Sequence, residues 1–296
     1  MFSCLDTEVH FASTILTKLR ELKFLGYSDR KSAFKVLLLW FLHLFPITLQ
    51  IRHFKMASAL QRLKSLIARS LVIQIDRIKW FVEDFSDIII LSNETEKEVW
   101  RYLKVKPGDT FIDVGAHKGK YALRIARKVG HNGRVIALEP DPRNYEALLR
   151  SIVSNNFRNV IPLKIAAYGK AGKIMLSLCP FNSQLSSVEI NWGDKVEVEA
   201  YPLDDIINQL RLTRVDYVKI DVEGAECEVL QGLEKTLRSM SPKIVIEVKW
   251  ENFKKVDEFL KKFGYTGIPI ENLQMKYDGY FYYFKKLNES KSVKVV

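Results

Sequence analysis

Residues 110–141 constrain the fold of this 296-residue chain more strongly than any other stretch. They begin with a short apolar run at 111–114, typical of a buried strand, and continue into a turn bounded by glycines at 115–119. A helical pattern and a second apolar strand follow, and Glu139 closes that strand. Because strand, glycine turn, helix, strand and acid occur in this order, the stretch predicts the first half of a nucleotide-binding βαβ unit.

The turn and the acid suit a particular kind of ligand. Glycine lets the backbone approach a ligand closely, and an acid such as Glu139 can accept hydrogen bonds from two ribose hydroxyls. Only Gly115 and Gly119 are present, so the turn lacks the middle glycine of the dinucleotide pattern. A ligand without a pyrophosphate fits such a turn, and S-adenosylmethionine is one. The alternative is a doubly wound domain in which these residues only turn the chain.

The rest of the chain alternates predicted strands and helices, as in an α/β domain. Short β-like runs are predicted at 72–75, 80–82 and 88–90, and strands at 159–167, 173–178, 196–201, 215–220, 243–248, 265–268 and 280–285. Helices are predicted from Asn93, with Glu96 completing a capping-box-like start, and at 142–154, 203–209, about 226–240 and 253–263. The aromatic run at 280–285 is predicted as an edge strand, and the polar segment 180–191 as a loop long enough to cover a site.

Four regions are predicted along the chain. Residues 1–70 form a helical, basic extension, residues 71–92 a short β element that caps the main sheet, residues 93–287 the α/β domain, and residues 288–296 a loose tail. The apolar segment 33–51 has basic flanks and a short apolar core. It is interpreted as a helix buried against the domain, as an interfacial membrane helix, or as a true membrane span.

Composition narrows the class of protein. The cysteines Cys4, Cys179 and Cys227 are scattered without a C-x-x-C pair, which suggests neither zinc nor a disulfide framework and favours a reducing compartment. A cytoplasmic protein, peripheral to a membrane if segment 33–51 lies at an interface, is expected. The net charge of +11 suits an anionic partner or simply a basic solvated surface. No RNA-binding motif interleaves the basic residues with aromatics, so nucleic acid is the less expected partner.

Four short motifs carry a family resemblance, together with Ile246-Glu247 further on. They are DVGA at 113–116, EPD at 139–141, LDDI at 203–206 and, above all, KIDVEGAE at 219–226. From about residue 90 to 285 the chain resembles the FkbM family of S-adenosylmethionine-dependent methyltransferases. The resemblance implies a Rossmann-like class I methyltransferase fold, an α/β architecture with a seven-stranded, mostly parallel sheet and helices on both faces. The helical N-terminal extension predicted above lies outside the resemblance. It also implies methyl transfer, commonly to a hydroxyl of a sugar, glycolipid or small metabolite.

The resemblance assigns roles by position. Asp113, Gly115 and Gly119 would line the amino-acid end of the cofactor, Glu139 would hold the ribose, Ala166 and Ala167 would lie near the adenine, and Asp221 and Glu223 would face the methyl group and the acceptor. The chain departs from the family at His117-Lys118 in the turn and at Lys164-Ile165 before the two alanines.

A hydroxyl acceptor must lose a proton during transfer, which calls for a base within hydrogen-bond reach. The candidates are Asp221, Glu223, Glu247 and His117. Asp221 and Glu223 follow a parallel strand, where open α/β sheets place ligands, although acids there also cap the following helix. No metal is expected, and a hard cation shared by Asp221 and Glu247 is the weaker alternative.

Two other functions fit the same sequence. One is an RNA methyltransferase, which the positive charge suggests. The other is a non-catalytic, cofactor-binding scaffold recruited to a membrane through residues 33–51. The acceptor itself is not specified: Ser183, Ser186 and Ser187 are either acceptor contacts or ordinary loop serines.

Overall fold

The computed structural model describes residues 26–27, 35, 38, 63, 66–67, 71–82, 85–91, 96–179, 186–189, 193–270 and 279–286. The chain divides into two compact units, residues 1–92 and residues 93–296.

The described part of the first unit is a small antiparallel sheet and a helix. The strands are β1 (Gly26–Tyr27), β2 (Val72–Ile75) and β3 (Ile78–Phe81), and the helix is α1 (Phe85–Leu91). Asp76 and Arg77 both have positive φ between β2 and β3, as a tight hairpin turn requires. The β-like run predicted at 88–90 is wrong, because these residues lie within α1. Ile88 and Leu91, three residues apart, are both buried, which is a helical spacing.

The predicted N-terminal extension is mostly outside the described residues. In segment 33–51 only Lys35 and Leu38 are described, and both are helical. The strand β1 shows that residues 1–70 are not helical throughout. Within the described part of the chain, no helix combines the length and apolar character needed to cross a membrane. The prediction of a buried, interfacial or spanning segment therefore stays a prediction.

The second unit is built on a seven-stranded sheet with a smaller sheet beside it. Its strands are β4 (Thr110–Val114), β5 (Arg134–Leu138), β6 (Val160–Leu163), β7 (Ala166–Ala167), β8 (Gly172–Ser177), β9 (Lys195–Tyr201), β10 (Tyr217–Ile220), β11 (Lys243–Lys249), β12 (Tyr265–Pro269) and β13 (Gly279–Lys286). The order in the large sheet is β12-β13-β11-β10-β4-β5-β6, and only β13 runs antiparallel to its neighbours. The small sheet has the order β7-β9-β8.

Helices cover both faces of the large sheet. They are α2 (Lys120–Val129), α3 (Pro142–Ser154), α4 (Leu203–Gln209), α5 (Glu226–Gln231), α6 (Glu234–Ser239) and α7 (Phe253–Lys261). One face of the sheet packs with α4 to α7 in a single apolar cluster that contains Ile112, Val218 and Ile244. The helix α2 packs on β4 and β5, and its apolar side chains lie outside that cluster. The predicted seven-stranded, mostly parallel Rossmann-like fold is confirmed.

Several element predictions differ from the structure. The strand predicted at 159–167 is divided, because residues after β6 leave the large sheet and β7 pairs with β9 instead. The helix predicted at 226–240 is interrupted at Gly232, whose backbone lies so close to Tyr168 that a Cβ would be 2.4 Å from the Tyr168 carbonyl oxygen. Asn93 lies outside the described residues, and residues 96–101 form a turn and a short 3-10 helix rather than an α-helix.

The strand β13 is not the predicted edge strand. It pairs with β11 on one side and with β12 on the other, so the edge is β12. The aromatic composition of β13 suits this internal position, since Phe284 is fully buried and its ring covers Gly267 of β12.

Candidate functional site

The glycine turn after β4 joins the ends of three strands. The Gly115 amide donates a hydrogen bond to the Leu138 carbonyl oxygen at the end of β5, at 3.0 Å. Gly115 has φ of +75°, and a Cβ there would lie 1.8 Å from the backbone oxygen of Asp221, just after β10. Glycine is required because of both the positive φ and this close approach. The turn therefore brings the carboxyl ends of β4, β5 and β10 together.

Gly119 ends the turn and begins α2. It has φ of +91°, and a Cβ there would lie 2.7 Å from the Leu148 side chain of α3. The glycine thus lets α2 and α3 pack closely. Gly115 and Gly119 are both beside the strand ends, as the sequence predicts for cofactor-binding positions, and that role stays a prediction.

Asp113 of β4 is a fully buried carboxylate beside the glycine turn. Neither of its oxygens has a hydrogen-bond partner of ordinary geometry among the described residues. The nearest cation is the Lys219 ammonium, 3.9 Å from Oδ1. Burial raises the pKa of Asp113 to about 6, against the opposing effect of Lys219.

Lys219 is the buried cation that holds the site together. It is paired with Asp113 across β4 and β10, and its ammonium lies 2.9 Å from Asp221 Oδ2 and 4.8 Å from the centre of the Tyr121 ring. Burial would lower the pKa of Lys219, but Asp221 and Asp113 outweigh this effect and hold the pKa above its usual value. Lys219 is therefore charged, and it fixes the orientation of the Asp221 carboxylate.

Two further acids surround Asp221. Burial and the neighbouring charge of Asp221 raise the pKa of Glu223 to about 7, while the Lys249 ammonium, 3.6 Å from Glu223 Oε2, opposes the shift. Glu247 on β11 is half-buried, and burial together with Asp221 and Glu223 raises its pKa well above the usual range. The three acids that the sequence put forward as bases are thus close together at one edge of the sheet.

Glu139 lies where β5 ends, beside the glycine turn. Its Oε2 accepts a hydrogen bond from the His117 amide at 2.7 Å and its Oε1 accepts one from the Asp141 amide at 2.9 Å. Burial raises the pKa of Glu139 to about 7. The Asn144 side chain also hydrogen-bonds this carboxylate, so the two oxygens retain only part of their acceptor capacity for a ligand hydroxyl.

The structure accommodates the two residues of the turn, His117 and Lys118, that depart from the family pattern. His117 has φ of +50°, and burial and nearby cations lower its pKa well below the usual value. The Lys118 ammonium is buried and donates to Asn144 Oδ1 on α3 at 3.0 Å.

Ala166 and Ala167 form β7, beyond the carboxyl end of β6. Both side chains are buried: Ala167 packs in the same cluster as Leu138, and Ala166 packs in the core of the small sheet. The structure therefore places them near the Glu139 strand end but turns neither side chain to an open surface. Their predicted role beside the adenine stays a prediction.

Residues of the 180–191 loop reach the site. Ser183 lies outside the described residues. Ser186 Oγ donates to Asp141 Oδ2 at 2.9 Å, and Ser187 Oγ donates to the Glu223 carbonyl oxygen at 2.7 Å. These serines tie the loop to the ends of β5 and β10, which is a structural role.

Sequence reasoning missed Glu96 as part of the site and assigned no role to Lys219. Glu96 Oε2 accepts hydrogen bonds from Lys120 Nζ at 2.9 Å and from the Tyr121 hydroxyl at 2.5 Å. Burial would raise the pKa of Glu96, but Lys120 and Tyr121 hold it below the usual value. The only sequence signal for a role of Lys219 was its position inside an apolar strand, because a lysine that is buried there requires a partner for its charge.

The acids do not make a recognisable metal centre. Among the described residues, no group of three or more histidine, cysteine, aspartate or glutamate side chains is placed to hold a metal ion.

Known proteins match the part of the chain that carries this site. The family model of the methyltransferase FkbM domain matches residues 113–266. Methyltransferase sdnD of Sordaria araneosa is 30% identical over 178 residues, which cover 49% of this chain and 68% of that protein. Hexuronic acid methyltransferase AglP of Haloferax volcanii is 27% identical over 155 residues, which cover 51% of this chain and 61% of that protein.

A crystal structure of a methyltransferase FkbM from Methylobacillus flagellatus is similar with a TM-score of 0.46 at 19% identity, covering 62% of this chain and 49% of that one. The chain thus spans about half the length of that protein and about two thirds of the two relatives named above. The resemblance predicted from the DVGA and KIDVEGAE motifs is confirmed. With the family model matching more than half of its length, the chain belongs to the FkbM family of methyltransferases.

Proposed function

We propose that this protein transfers a methyl group from S-adenosylmethionine to a hydroxyl of a sugar or a similar small metabolite. The observation that carries the cofactor assignment is the buried Asp113 carboxylate, whose oxygens make no hydrogen bond of ordinary geometry among the described residues and whose nearest cation, Lys219, is 3.9 Å from Oδ1. Its position beside the Gly115 turn fits a ligand that brings an ammonium group, since a buried acid with only one cation at that distance favours a closer positive donor.

The residues present fit the cofactor as a whole. Asp113 and the Gly115 backbone would hold its amino-acid end. Glu139 would hold the ribose through the acceptor capacity that the two backbone amides and the Asn144 side chain leave open. When bound, S-adenosylmethionine supplies an electrophilic methyl group on a sulfonium.

The acids at the end of β10 would act on the acceptor. Glu223 has a pKa of about 7, which suits a group that must take up a proton near neutral pH. Asp221 is fixed by Lys219 and would orient the acceptor hydroxyl. Glu223 would take up the proton that the acceptor hydroxyl loses on methylation.

A sugar acceptor is supported by one relative. AglP, whose name describes methylation of a hexuronic acid, matches half of this chain at 27% identity. A hydroxyl-rich acceptor also suits an edge at which three carboxyl groups can accept hydrogen bonds.

Two measurements test the proposal. Calorimetric titration with S-adenosylhomocysteine is expected to show binding that Asp113→Asn and Glu139→Ala weaken by about tenfold or more each.

Formation of S-adenosylhomocysteine from S-adenosylmethionine is then followed with a panel of methyl pyranosides. Glu223→Gln is expected to lower turnover by about a hundredfold or more without changing cofactor binding.

Asp205→Asn, an exposed acid on α4, is the matched control and is expected to behave as the wild type. The cofactor assignment is contradicted if the wild type binds no S-adenosylhomocysteine. The base assignment is contradicted if Glu223→Gln keeps full turnover, and the orienting role of Asp221 is contradicted if Asp221→Asn does.

A further inference from the structure

The amino-terminal edge of the large sheet, opposite the candidate site, carries a row of basic side chains. The parallel strands β4, β5, β6, β10 and β11 all begin at this edge, and β13, which runs antiparallel to β11, ends there. Each of these strands, or the turn before it, brings an exposed cation to the edge. In sheet order these are Lys285, Lys243, Arg214, Lys106, Arg134 and Arg158, which we call the basic row. Because neighbouring strands lie about 4.8 Å apart, the row extends over roughly 25 Å.

Few acidic side chains compensate the basic row. In the described turns that lead into β4, β5, β6, β10 and β11, the only acids are Asp109 and Asp216. Both pair with Arg214, so that the charge of this arginine is compensated. None of the other members of the row forms an ion pair with another described residue. The row therefore keeps most of its positive charge for an external partner.

The acidic side chains of the candidate site lie at the other edge of the same sheet. Glu139 follows β5, Asp221 and Glu223 follow β10, and Glu247 lies near the end of β11. The sheet thus has a basic edge and an acidic edge. A charge separation of this kind orients a protein in the field of a charged surface, with the basic edge turned toward negative charge.

The basic row is indented between β5 and β6. Arg134 and Arg158 line a depression of about 350 Å³ together with a histidine and two asparagines, and no acidic residue lines it. Arginine guanidinium groups present several N–H donors in a geometry that matches phosphate oxygens. The depression therefore suits a group that bears a phosphate.

The basic row lacks the groups that would bind the bases of a nucleic acid. Binding of single-stranded nucleic acid combines cations with aromatic rings on which the bases stack. The strongly exposed aromatic side chains among the described residues, Trp250 and Tyr280, lie at the other edge of the sheet. A large apolar side chain that is strongly exposed near the row is Val153, in the last turn of α3. Cations beside an aliphatic side chain, without a stacking ring, favour a lipid bilayer surface over a nucleic acid.

We propose that the basic row docks this protein on an anionic lipid bilayer, with lipid phosphate groups entering the depression between Arg134 and Arg158. Charge complementarity identifies the partner, since each lysine or arginine near an anionic bilayer adds to the attraction without a specific contact. The acidic edge with the candidate site would then point away from the bilayer, so that an acceptor reaches it from the aqueous phase. The inference does not depend on the proposed function.

The test is co-sedimentation of the full-length protein with lipid vesicles. Vesicles of phosphatidylcholine alone are compared with vesicles in which about one third of the lipid is phosphatidylglycerol. Binding to the anionic vesicles only is expected at roughly 0.1 M salt, and this binding should be lost at about 1 M salt, where screening shortens the range of the attraction to about 3 Å. The variant Lys106→Glu/Arg134→Glu/Arg158→Glu is expected to bind at least about a hundredfold more weakly, because each cation near the surface contributes about fivefold.

The matched control is the variant Lys170→Glu/Lys195→Glu/Lys255→Glu. It changes the net charge by the same amount at exposed positions outside the basic row. Its affinity for the anionic vesicles is expected to stay within about fivefold of the wild type. Thermal unfolding of both triple variants, followed by circular dichroism, is expected to match the wild type, because all of the replaced side chains are exposed.

The proposal is overturned if the wild type binds no anionic vesicles, or binds neutral vesicles equally well. Equal loss of binding in the two triple variants would reduce the attraction to net charge and would also overturn it, as would unchanged binding in the variant of the basic row. Binding of a mixed-sequence RNA that the variant of the row loses, in a wild type that does not bind vesicles, would assign the row to nucleic acid instead.

Discussion

At the scale of single residues, the site contains more buried acidic side chains than cations to pair with them. Lys219 is the only cation within 4.0 Å of Asp113 among the described residues, and it also pairs with Asp221. A buried acid that loses its cation retains the cost of desolvation without compensation. The stability of the second unit should therefore depend on this one lysine.

Lys219→Met is expected to lower the free energy of unfolding by about 3 kcal/mol or more, measured by urea denaturation. The double variant with Asp113→Asn is expected to lose less than the sum of the two single variants, because it removes the acid that the first change leaves unpaired. Lys173→Met breaks an exposed pair with Glu197, in which solvent screens the attraction, and is expected to leave the free energy of unfolding nearly unchanged. Equal losses in the buried and the exposed variant would contradict this account.

Glu139 should make stability depend on pH in a defined window. Its pKa rises from 4.5 to about 7 on folding, so the folded protein holds this proton more tightly than the unfolded chain. The resulting stabilisation is complete below about pH 4.5 and is lost as the pH rises through about 7. Glu139→Gln cannot titrate. The difference in unfolding free energy between wild type and variant should therefore change with a slope of up to about 1.4 kcal/mol per pH unit inside the window.

The measurement is urea denaturation of both proteins at intervals across this range. Wild type is expected to lose stability relative to the variant as the pH rises. Parallel pH profiles would show that Glu139 titrates normally in the folded state.

At the scale of elements, the turn between β4 and α2 depends on the absence of a side chain. Gly115 and Gly108 both have positive φ, but a Cβ at Gly108 would meet nothing within 4 Å, whereas at Gly115 it would overlap the Asp221 backbone. Gly108→Ala thus measures backbone strain alone, about 1–2 kcal/mol. Gly115→Ala causes the same kind of backbone strain and, in addition, must displace the ends of the strands that meet at the turn.

Gly115→Ala is expected to cost at least about 3 kcal/mol in unfolding free energy and to weaken S-adenosylhomocysteine binding more than Gly108→Ala does. Thermal unfolding and calorimetry of the two variants make the comparison. Equal effects of the two substitutions would mean that the strand ends can separate without consequence for the site.

At the scale of the whole molecule, the net charge of +11 bears on the RNA alternative. A basic surface without a reading element should bind RNA only through its phosphates. Affinity for a mixed-sequence RNA is then expected to fall by about a thousandfold between roughly 50 and 200 mM salt, with no preference for sequence. Filter binding across this salt range makes the measurement. Binding that survives high salt and discriminates between sequences would favour an RNA methyltransferase.

The sequence by itself determined the parts of this protein that depend on neighbouring residues. The apolar run at 111–114, the glycines of the turn and the acid at 139 lie within one short stretch, so strand, turn, helix and strand could be predicted in order. The KIDVEGAE motif together with the glycine turn indicated the family. The sequence also predicted that the acids at the strand ends lie close together, because the carboxyl ends of parallel strands lie at the same edge of a sheet.

Only the tertiary structure decided which distant residues meet. The position of β13 between β11 and β12 follows from pairings that no local pattern encodes, and its aromatic composition suited an edge prediction equally well. The isoleucines at 88–90 fit both a strand and a helix by composition, and the structure places them in a helix that buries both Ile88 and Leu91. Glu96 and Lys219 belong to the site through contacts made across the folded chain, because charge pairing is a property of the assembled structure.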